Sequence, residues 1–291
     1  MAQTLSRRAF LGAAPTPTRV VLLSLDGIRP DGLKEAKTPN LDALFADGVF
    51  SNTTRDVMPS VTLPNWTSIL TGCGPEQHGV TSNGWDRTKP ALASVARAAG
   101  GYVPSVFSEL KRQIDGMRTA FYWNWKPLIG PYDPASFDES AFEENDGYEG
   151  NCAKALAFLK ANRDAPTLVF LYDVHTDHAG HNHGWMSAPY ITAIEEADAA
   201  FGRLLFGLAR AGLLASTHFL FLTDHGGHGT GHGSDIPEDM IVPWGIVGPG
   251  IRKGRELALN DTVNTAPTIL RLFGATPPAH WTGRVPEELF A

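Results

Sequence analysis

Three short apolar runs constrain this chain more than any other feature. They are Val20–Leu25 (VVLLSL), Thr167–Tyr172 (TLVFLY) and Phe219–Leu222 (FLFL), and each delivers an aspartate at or just beyond its end. Continuous apolar runs of this length are what parallel strands covered on both faces require. Helical signals lie between them. Thr38-Pro39-Asn40 opens a helix with Leu41, Leu44 and Phe45 as its buried stripe and Gly48 as its stop. After Pro189, residues Ile191, Ile194, Phe201, Leu204, Leu205 and Leu208 recur at helical spacing, and Gly212 ends the pattern. Further helices are expected from Thr62 to Gly72 and at Leu92–Ala99, Gly150–Asn162 and Asn264–Phe273. Strands are expected at Val49–Thr54, Tyr102–Phe107 and Val242–Gly250. This alternation predicts an α/β fold, a mostly parallel central sheet with helices on both faces, with its chemistry at the C-terminal ends of strands.

Residues 19–291 read as one domain, with about 108–149 as an insertion covering the site, irregular from Arg118 to Asp146. Residues 1–18 read as an irregular arm. Ser6-Arg7-Arg8-Ala9-Phe10-Leu11 resembles a twin-arginine export motif, but Pro15 and Pro17 cut short the apolar stretch such a signal needs. The reading therefore favours cytoplasmic residence, with export to the periplasm as the alternative. No apolar run approaches the roughly 18–20 residues of a membrane-spanning helix. The net charge of −7 excludes a protein built to grip a nucleic-acid backbone, which needs a basic face. It leaves small anionic substrates open, because a local metal pair outweighs distant surface charge. Cys73 and Cys152 are too few for a disulfide framework, and whether they pair is open.

The three strand ends collect metal-ligand chemistry: Asp26 after the first, Asp177 and His181 after the second, Asp224, His225 and His232 after the third. Seven of the ten histidines fall in the two loops Asp173–Gly184 and Thr223–Gly233. Asp177 and His181 stand four apart, which on a helical turn puts them on one face. Mixed carboxylate and imidazole donors suit zinc, manganese or iron better than calcium or magnesium. Two such sets close together would hold the ion pair that clamps an in-line displacement at phosphorus. Thr62 opens a helix, where a free hydroxyl and helix N–H groups meet an anion. It is a candidate nucleophile, and capping its own helix is the competing reading.

Further motifs occur in order: Leu25-Asp26-Gly27-Ile28-Arg29-Pro30-Asp31, Thr38-Pro39-Asn40-Leu41, Pro59-Ser60-Val61-Thr62-Leu63-Pro64-Asn65, His78-Gly79-Val80 with Asn83, Asp177-His178-Ala179-Gly180-His181, Thr223-Asp224-His225-Gly226 and Ala266-Pro267-Thr268. Together they resemble the alkaline phosphatase superfamily, in its nucleotide pyrophosphatase/phosphodiesterase branch. The resemblance implies that Asp26, Thr62, Asp224 and His225 bind one divalent ion and that Asp177, His181 and His232 bind the second, with His228 as the alternative to His232. For two divalent ions held by these donors, zinc is the first expectation, with manganese or iron as the alternatives. The resemblance also implies Thr62 as a nucleophile forming a phosphothreonine, and Asn83 as a donor to a phosphoryl oxygen. The function it implies is phosphodiester hydrolysis of a small-molecule substrate. Phosphomonoester or phosphonate hydrolysis is the alternative, and a metal-binding protein without catalysis is the alternative from another class. Intact Thr62 and Asn83 argue against that last reading.

Departures from the pattern bear on substrate. Only a short loop joins His225 to His232, Trp66 stands where relatives often have histidine or tyrosine, and Val174-His175 interrupts the acidic run usual before Asp177. Sulfatase chemistry is disfavoured, since Thr62 replaces the cysteine or serine that it needs. Among the tryptophans, Trp66 and Trp85 are the candidates to line a leaving-group pocket, and Trp123, Trp125 and Trp185 are weaker ones. His78 reads as structural.

Overall fold

The computed structural model describes residues 17–144 and 148–291. The Arg7-Arg8 motif thus lies outside the described residues. The three apolar runs become β1 (Arg19–Leu25), β5 (Thr167–Asp173) and β6 (Thr217–Leu222), every residue of each buried. They lie side by side at the centre of an eight-stranded sheet of order β4-β3-β5-β1-β6-β7-β2-β8. The remaining strands are β2 (Val49–Arg55), β3 (Arg118–Trp123), β4 (Glu139–Phe142), β7 (Ile241–Val247) and β8 (Arg255–Glu256). β7 pairs antiparallel with both β6 and β2, and every other neighbouring pair is parallel. The expected mostly parallel sheet is therefore what forms.

Alternate residues of β1 serve opposite faces, as strand pleating demands. Val20 and Leu22 pack beneath α3 (Thr62–Thr71), α5 (Val106–Gln113) and α10 (Thr265–Leu272). Val21 and Leu23 pack against α2 (Pro39–Phe45), α6 (Tyr148–Ala161) and α8 (Ala188–Arg210). Short helices complete the chain: α1 (Pro30–Glu35), α4 (Pro75–His78), α7 (His175–His183) and α9 (Pro237–Met240). α3 begins at Thr62 and stops at Gly72, whose φ of 61° is the left-handed cap that glycine adopts without strain.

Three local expectations are corrected. Leu92–Ala99 is not helical; Leu92 and Val95 are exposed and have no core to pack on. Tyr102–Phe107 is not a strand: Pro104-Ser105 turns the chain into α5, where Ser108 Oγ accepts from the Ser105 amide at 2.9 Å in place of a helical carbonyl. Among its described residues the stretch expected to be irregular from Arg118 to Asp146 is ordered in part, because β3 and β4 extend the sheet beyond β5. Much of the expected insertion about 108–149 is thus part of the scaffold. Cys73 and Cys152 are both free, in cores on opposite faces of the sheet.

Candidate metal centre

Parallel register aligns the ligands before any side chain is considered. Ser24 of β1 pairs with Leu222 of β6, so Asp26 and Asp224 each stand two residues past that pair. Beyond β5 the chain turns into α7, which carries Asp177 and His181 one turn apart, as their spacing predicts. Gly27, at φ 70°, permits the close approach of the two ends: a Cβ there would lie 3.2 Å from Asp177.

Two sets of donors result, Asp26, Asp224 and His225 in one and Asp177, His181 and His232 in the other. Within each, one ligand atom per residue lies within 4.8 Å of the others. In the first set His225 Nε2 is 3.2 Å from Asp26 Oδ1 and 3.3 Å from Asp224 Oδ2. In the second, Asp177 lies 3.5 Å from His181 Nε2 and 3.8 Å from His232 Nε2. The sets touch through the rings of His225 and His232, stacked with centroids 3.7 Å apart and 11° between planes.

The fit to cations can be tested on hydrogen bonding alone. His225 Nδ1 faces the Gly226 carbonyl at 2.7 Å, His232 Nδ1 that of Ser60 at 3.0 Å, and His181 Nδ1 that of Thr230 at 2.9 Å. A carbonyl only accepts, so each Nδ1 carries the proton and each Nε2 presents a lone pair to the site. Two of the carboxylates are anchored by one oxygen and left open at the other. Tyr172 Oη donates to Asp26 Oδ2, and the Gly27 amide donates to Asp224 Oδ1 at 3.2 Å. Asp26 Oδ1, Asp224 Oδ2 and Asp177 Oδ1 are buried without a hydrogen-bond partner among the described residues. Lone pairs thus converge from six side chains, and only protons or cations satisfy them.

Electrostatics say the same. Burial, and then the charge of Asp26, push Asp224 well above the usual carboxylate range and Asp177 up to about 7. Asp26 is held low: burial alone would raise it, but His225 beside it outweighs that, because Asp224 and Asp26 overcome burial and push the ring well above the usual imidazole range, so that with no ion a proton takes its Nε2 lone pair. Three buried carboxylates at this spacing do not all ionise unless a positive charge joins them. Divalent ions in the two sets would supply that charge.

Thr62 lies at the edge of the first set. Its Oγ is 3.3 Å from His225 Nε2 and 3.5 Å from Asn83 Nδ2. Thr62 is the first residue of α3, with Val61 at the capping position, so its hydroxyl does not cap the helix. Asn83 Oδ1 accepts from the Leu63 amide at 2.8 Å, which turns the side-chain NH2 toward Thr62. Pro64 has no N–H and that of Asn65 goes to Val61, which leaves the Thr62 amide to meet an anion.

The structure brings all seven expected metal-site residues and Asn83 together, and it separates His228 from them. That ring bonds Asp239 at 2.8 Å and ties the loop to α9. His78 is structural: it bonds Ser68 Oγ at 2.9 Å, accepts from the Val80 amide, and burial lowers its pKa to about 3. Trp66 does not line a pocket. It is fully buried, edge-on to Phe170 and Tyr172 at 5.5 Å. Trp123 and Trp185 are also buried, while Trp85 and Trp125 pack half-buried against the same core as Trp66.

Residues behind the ligands escaped the sequence. Tyr172 is one; its only signal is a hydroxyl-bearing aromatic at the end of an apolar strand. Ser60 is another. Its single proton serves two acceptors, Asp56 Oδ2 and, at 3.1 Å, the Asp239 carbonyl. Both bonds exist together when Asp56 is protonated and itself donates to Ser60. Burial pushes the Asp56 pKa up to about 8, which agrees.

Sheet order, strand-end ligands and Thr62 define the class: an alkaline phosphatase-like α/β protein with two candidate groups of metal ligands. The family model described as Type I phosphodiesterase / nucleotide pyrophosphatase matches residues 20–239, and the chain belongs to that family. Ectonucleotide pyrophosphatase/phosphodiesterase family member 3 of Mus musculus is 30% identical over 216 residues, 71% of this chain and 24% of the relative. Venom phosphodiesterase 2 of Crotalus adamanteus is 30% identical over 223 residues, 71% of this chain and 26% of the relative. The chain thus spans about a quarter of the length of these curated relatives. In fold it is similar to murine ectonucleotide pyrophosphatase/phosphodiesterase 5, solved as an inactive form with AMP. The TM-score is 0.78 at 18% identity, covering 94% of this chain and 100% of that one. The human protein of the same name gives 0.74 at 16% identity, covering 91% and 97%.

Proposed function

We propose that this chain hydrolyses phosphodiester or pyrophosphate bonds of small nucleotide-like substrates through a phosphothreonine on Thr62. The observation that carries this reading is the convergence of unpartnered carboxylate oxygens and imidazole Nε2 atoms beside a helix-terminal hydroxyl. Asp26, Asp224 and His225, with Thr62 Oγ, would hold one divalent ion, and Asp177, His181 and His232 the other. Zinc fits this donor mix, with manganese or iron next. Such ions make a threonine hydroxyl nucleophilic and neutralise charge on attacking and leaving oxygens.

The chain's own groups do the rest. Thr62 Oγ forms a bond to phosphorus as the bond to the leaving oxygen breaks in line. The Thr62 amide and Asn83 Nδ2 donate to the non-bridging oxygens as charge grows there. Water then attacks from the opposite side and releases Thr62, so two displacements give net retention at phosphorus. The names of the relatives, and the AMP held by one structural neighbour, support a nucleotide-type substrate.

Thr62→Ala tests the reading, with cleavage of p-nitrophenyl thymidine monophosphate compared with p-nitrophenyl phosphate. The expected result is faster diester cleavage by the metal-loaded protein, and loss of turnover in the variant with its melting temperature kept. Unchanged turnover in Thr62→Ala refutes the nucleophile. Preference for the monoester moves the function to a phosphatase. No hydrolysis by the native protein leaves a metal-binding role.

A further inference from the structure

Trp185 belongs to neither ligand set, yet it touches two members of one and bonds the residue next to Asp26 of the other. It lies two residues past α7, with its side chain buried. Its indole N–H donates to the carbonyl of Gly27, next to Asp26, at 2.9 Å. The same ring stands edge-on to His181, with centroids 5.1 Å apart at 83°, and to His232 at 5.9 Å and 63°. Two backbones lie directly on it. A Cβ at Gly180 of α7 would come within 2.6 Å of the indole, and one at Gly227 of the loop within 2.2 Å. The Trp185 amide also donates to Gly229 at 2.8 Å.

We infer that Trp185 is a positioning residue of the metal centre, a rigid spacer that sets His181 and His232 against Asp177 and locks that set to the Asp26–Gly27 turn. The need for it follows from the loop. Between His225 and His232 stand Gly226, Gly227, Gly229 and Gly231, which give the backbone freedom and offer no side chains to pack. The Ser60 carbonyl orients the His232 ring but does not by itself fix the loop's distance from α7. An indole held at its nitrogen, with glycines on its surface and two imidazoles at its edge, fixes that distance. The plainer alternative is that Trp185 only fills the core it shares with Ala179 and Tyr190.

Tyr190 separates these. Its hydroxyl donates to the same Gly27 carbonyl at 2.9 Å and its ring lies 6.3 Å from that of Trp185, but it contacts neither imidazole. The experiment is calorimetric titration of the metal-free full chain with zinc, on native protein, Trp185→Phe and Tyr190→Phe, with melting temperatures measured metal-free. The expected result is two sites in the native chain, one of them weakened about tenfold or more in Trp185→Phe, and both kept in Tyr190→Phe. Adding His232→Ala to Trp185→Phe should then weaken that site less than it does in the native background. Native-like titration of Trp185→Phe overturns the inference. So does equal weakening in Trp185→Phe and Tyr190→Phe in step with lost stability. The inference rests on the two-ion reading, and no zinc bound by the native chain refutes that reading itself.

Discussion

Replacing Tyr172 by phenylalanine deletes one oxygen from a place where its contribution is well isolated. The hydroxyl donates to Asp26 Oδ2, and both residues are fully buried. The ring would keep its edge contact with Trp66 at 5.5 Å and its near-parallel neighbour Phe170 at 6.3 Å, so packing hardly changes. What is lost is a hydrogen bond to an ionised acceptor, which contributes about 1.5–3 kcal/mol. The loss falls mainly on the ion-bound state, in which the His225 ring is spent on the ion; without an ion, His225 beside it still holds the Asp26 carboxylate. At about 1.4 kcal/mol per tenfold, the ion at the first set should bind roughly 10- to 100-fold more weakly. Competition between the metal-free protein and a chromophoric chelator measures this directly, with Thr62→Ser as a variant that leaves Asp26 its partner. An affinity within about twofold of native, at unchanged melting temperature, refutes the argument that Tyr172 holds Asp26 in its ligand pose.

Other outcomes follow from the same geometry. His232→Ala should reduce bound zinc from two ions per chain to one by elemental analysis, whereas His228→Ala, which breaks only the tie to Asp239, should keep both. Removing the ions with a chelator should lower the melting temperature by an amount that depends on free metal, since ions at about a thousand times their dissociation constant stabilise by about 4 kcal/mol per site; a chelator-insensitive melt contradicts this. Asp56 has a folded pKa of about 8 against an unfolded value of about 3.9. The folded state keeps a proton that the unfolded chain releases, so stability is full below about pH 4 and falls by up to roughly 1.4 kcal/mol per unit as pH rises to about 8. Asp56→Asn should flatten that fall in denaturant titrations at pH 5 and 7.5, and parallel slopes for variant and native protein would count against a neutral Asp56.

Much of the site was legible because it obeys local rules. β1, β5 and β6 announced themselves as unbroken apolar runs, and a strand that ends in aspartate can only present it in the crevice beyond the sheet. Asp177 and His181 could be paired from their spacing. Choosing His232 over His228 needed the resemblance, since both stand in the same glycine loop and nothing local separates them; the Asp239 partner that removes His228 comes from elsewhere in the chain. β4 was missed for a physical reason. It is an edge strand with exposed Glu139 and Ser140, and charge on an edge guards against unwanted pairing while hiding the strand signal. Trp66 misled in the opposite way. A tryptophan four residues past a nucleophile suggests a pocket wall, but one turn of α3 points it into the sheet. Tyr172, Ser60 and Trp185 act through contacts between distant segments, which no periodicity records.

The order of the sheet has a consequence for synthesis. β6 sits between β1 and β7, so the first ligand set closes across a sequence separation of 197 residues between Gly27 and Asp224. A chain emerging from its N-terminus displays Asp26, then Asp177 and His181, long before the loop that brings His225 and His232. Until β6 is inserted, the nascent protein has gathered Asp26 and Asp177 without His225 and His232, the imidazoles that complete the two groups. Such contacts close late, because a long loop must be ordered before they form. An ion in the first set would therefore require the finished sheet: a chain stalled before residue 217 lacks the strand and the loop that bring Asp224 and His225.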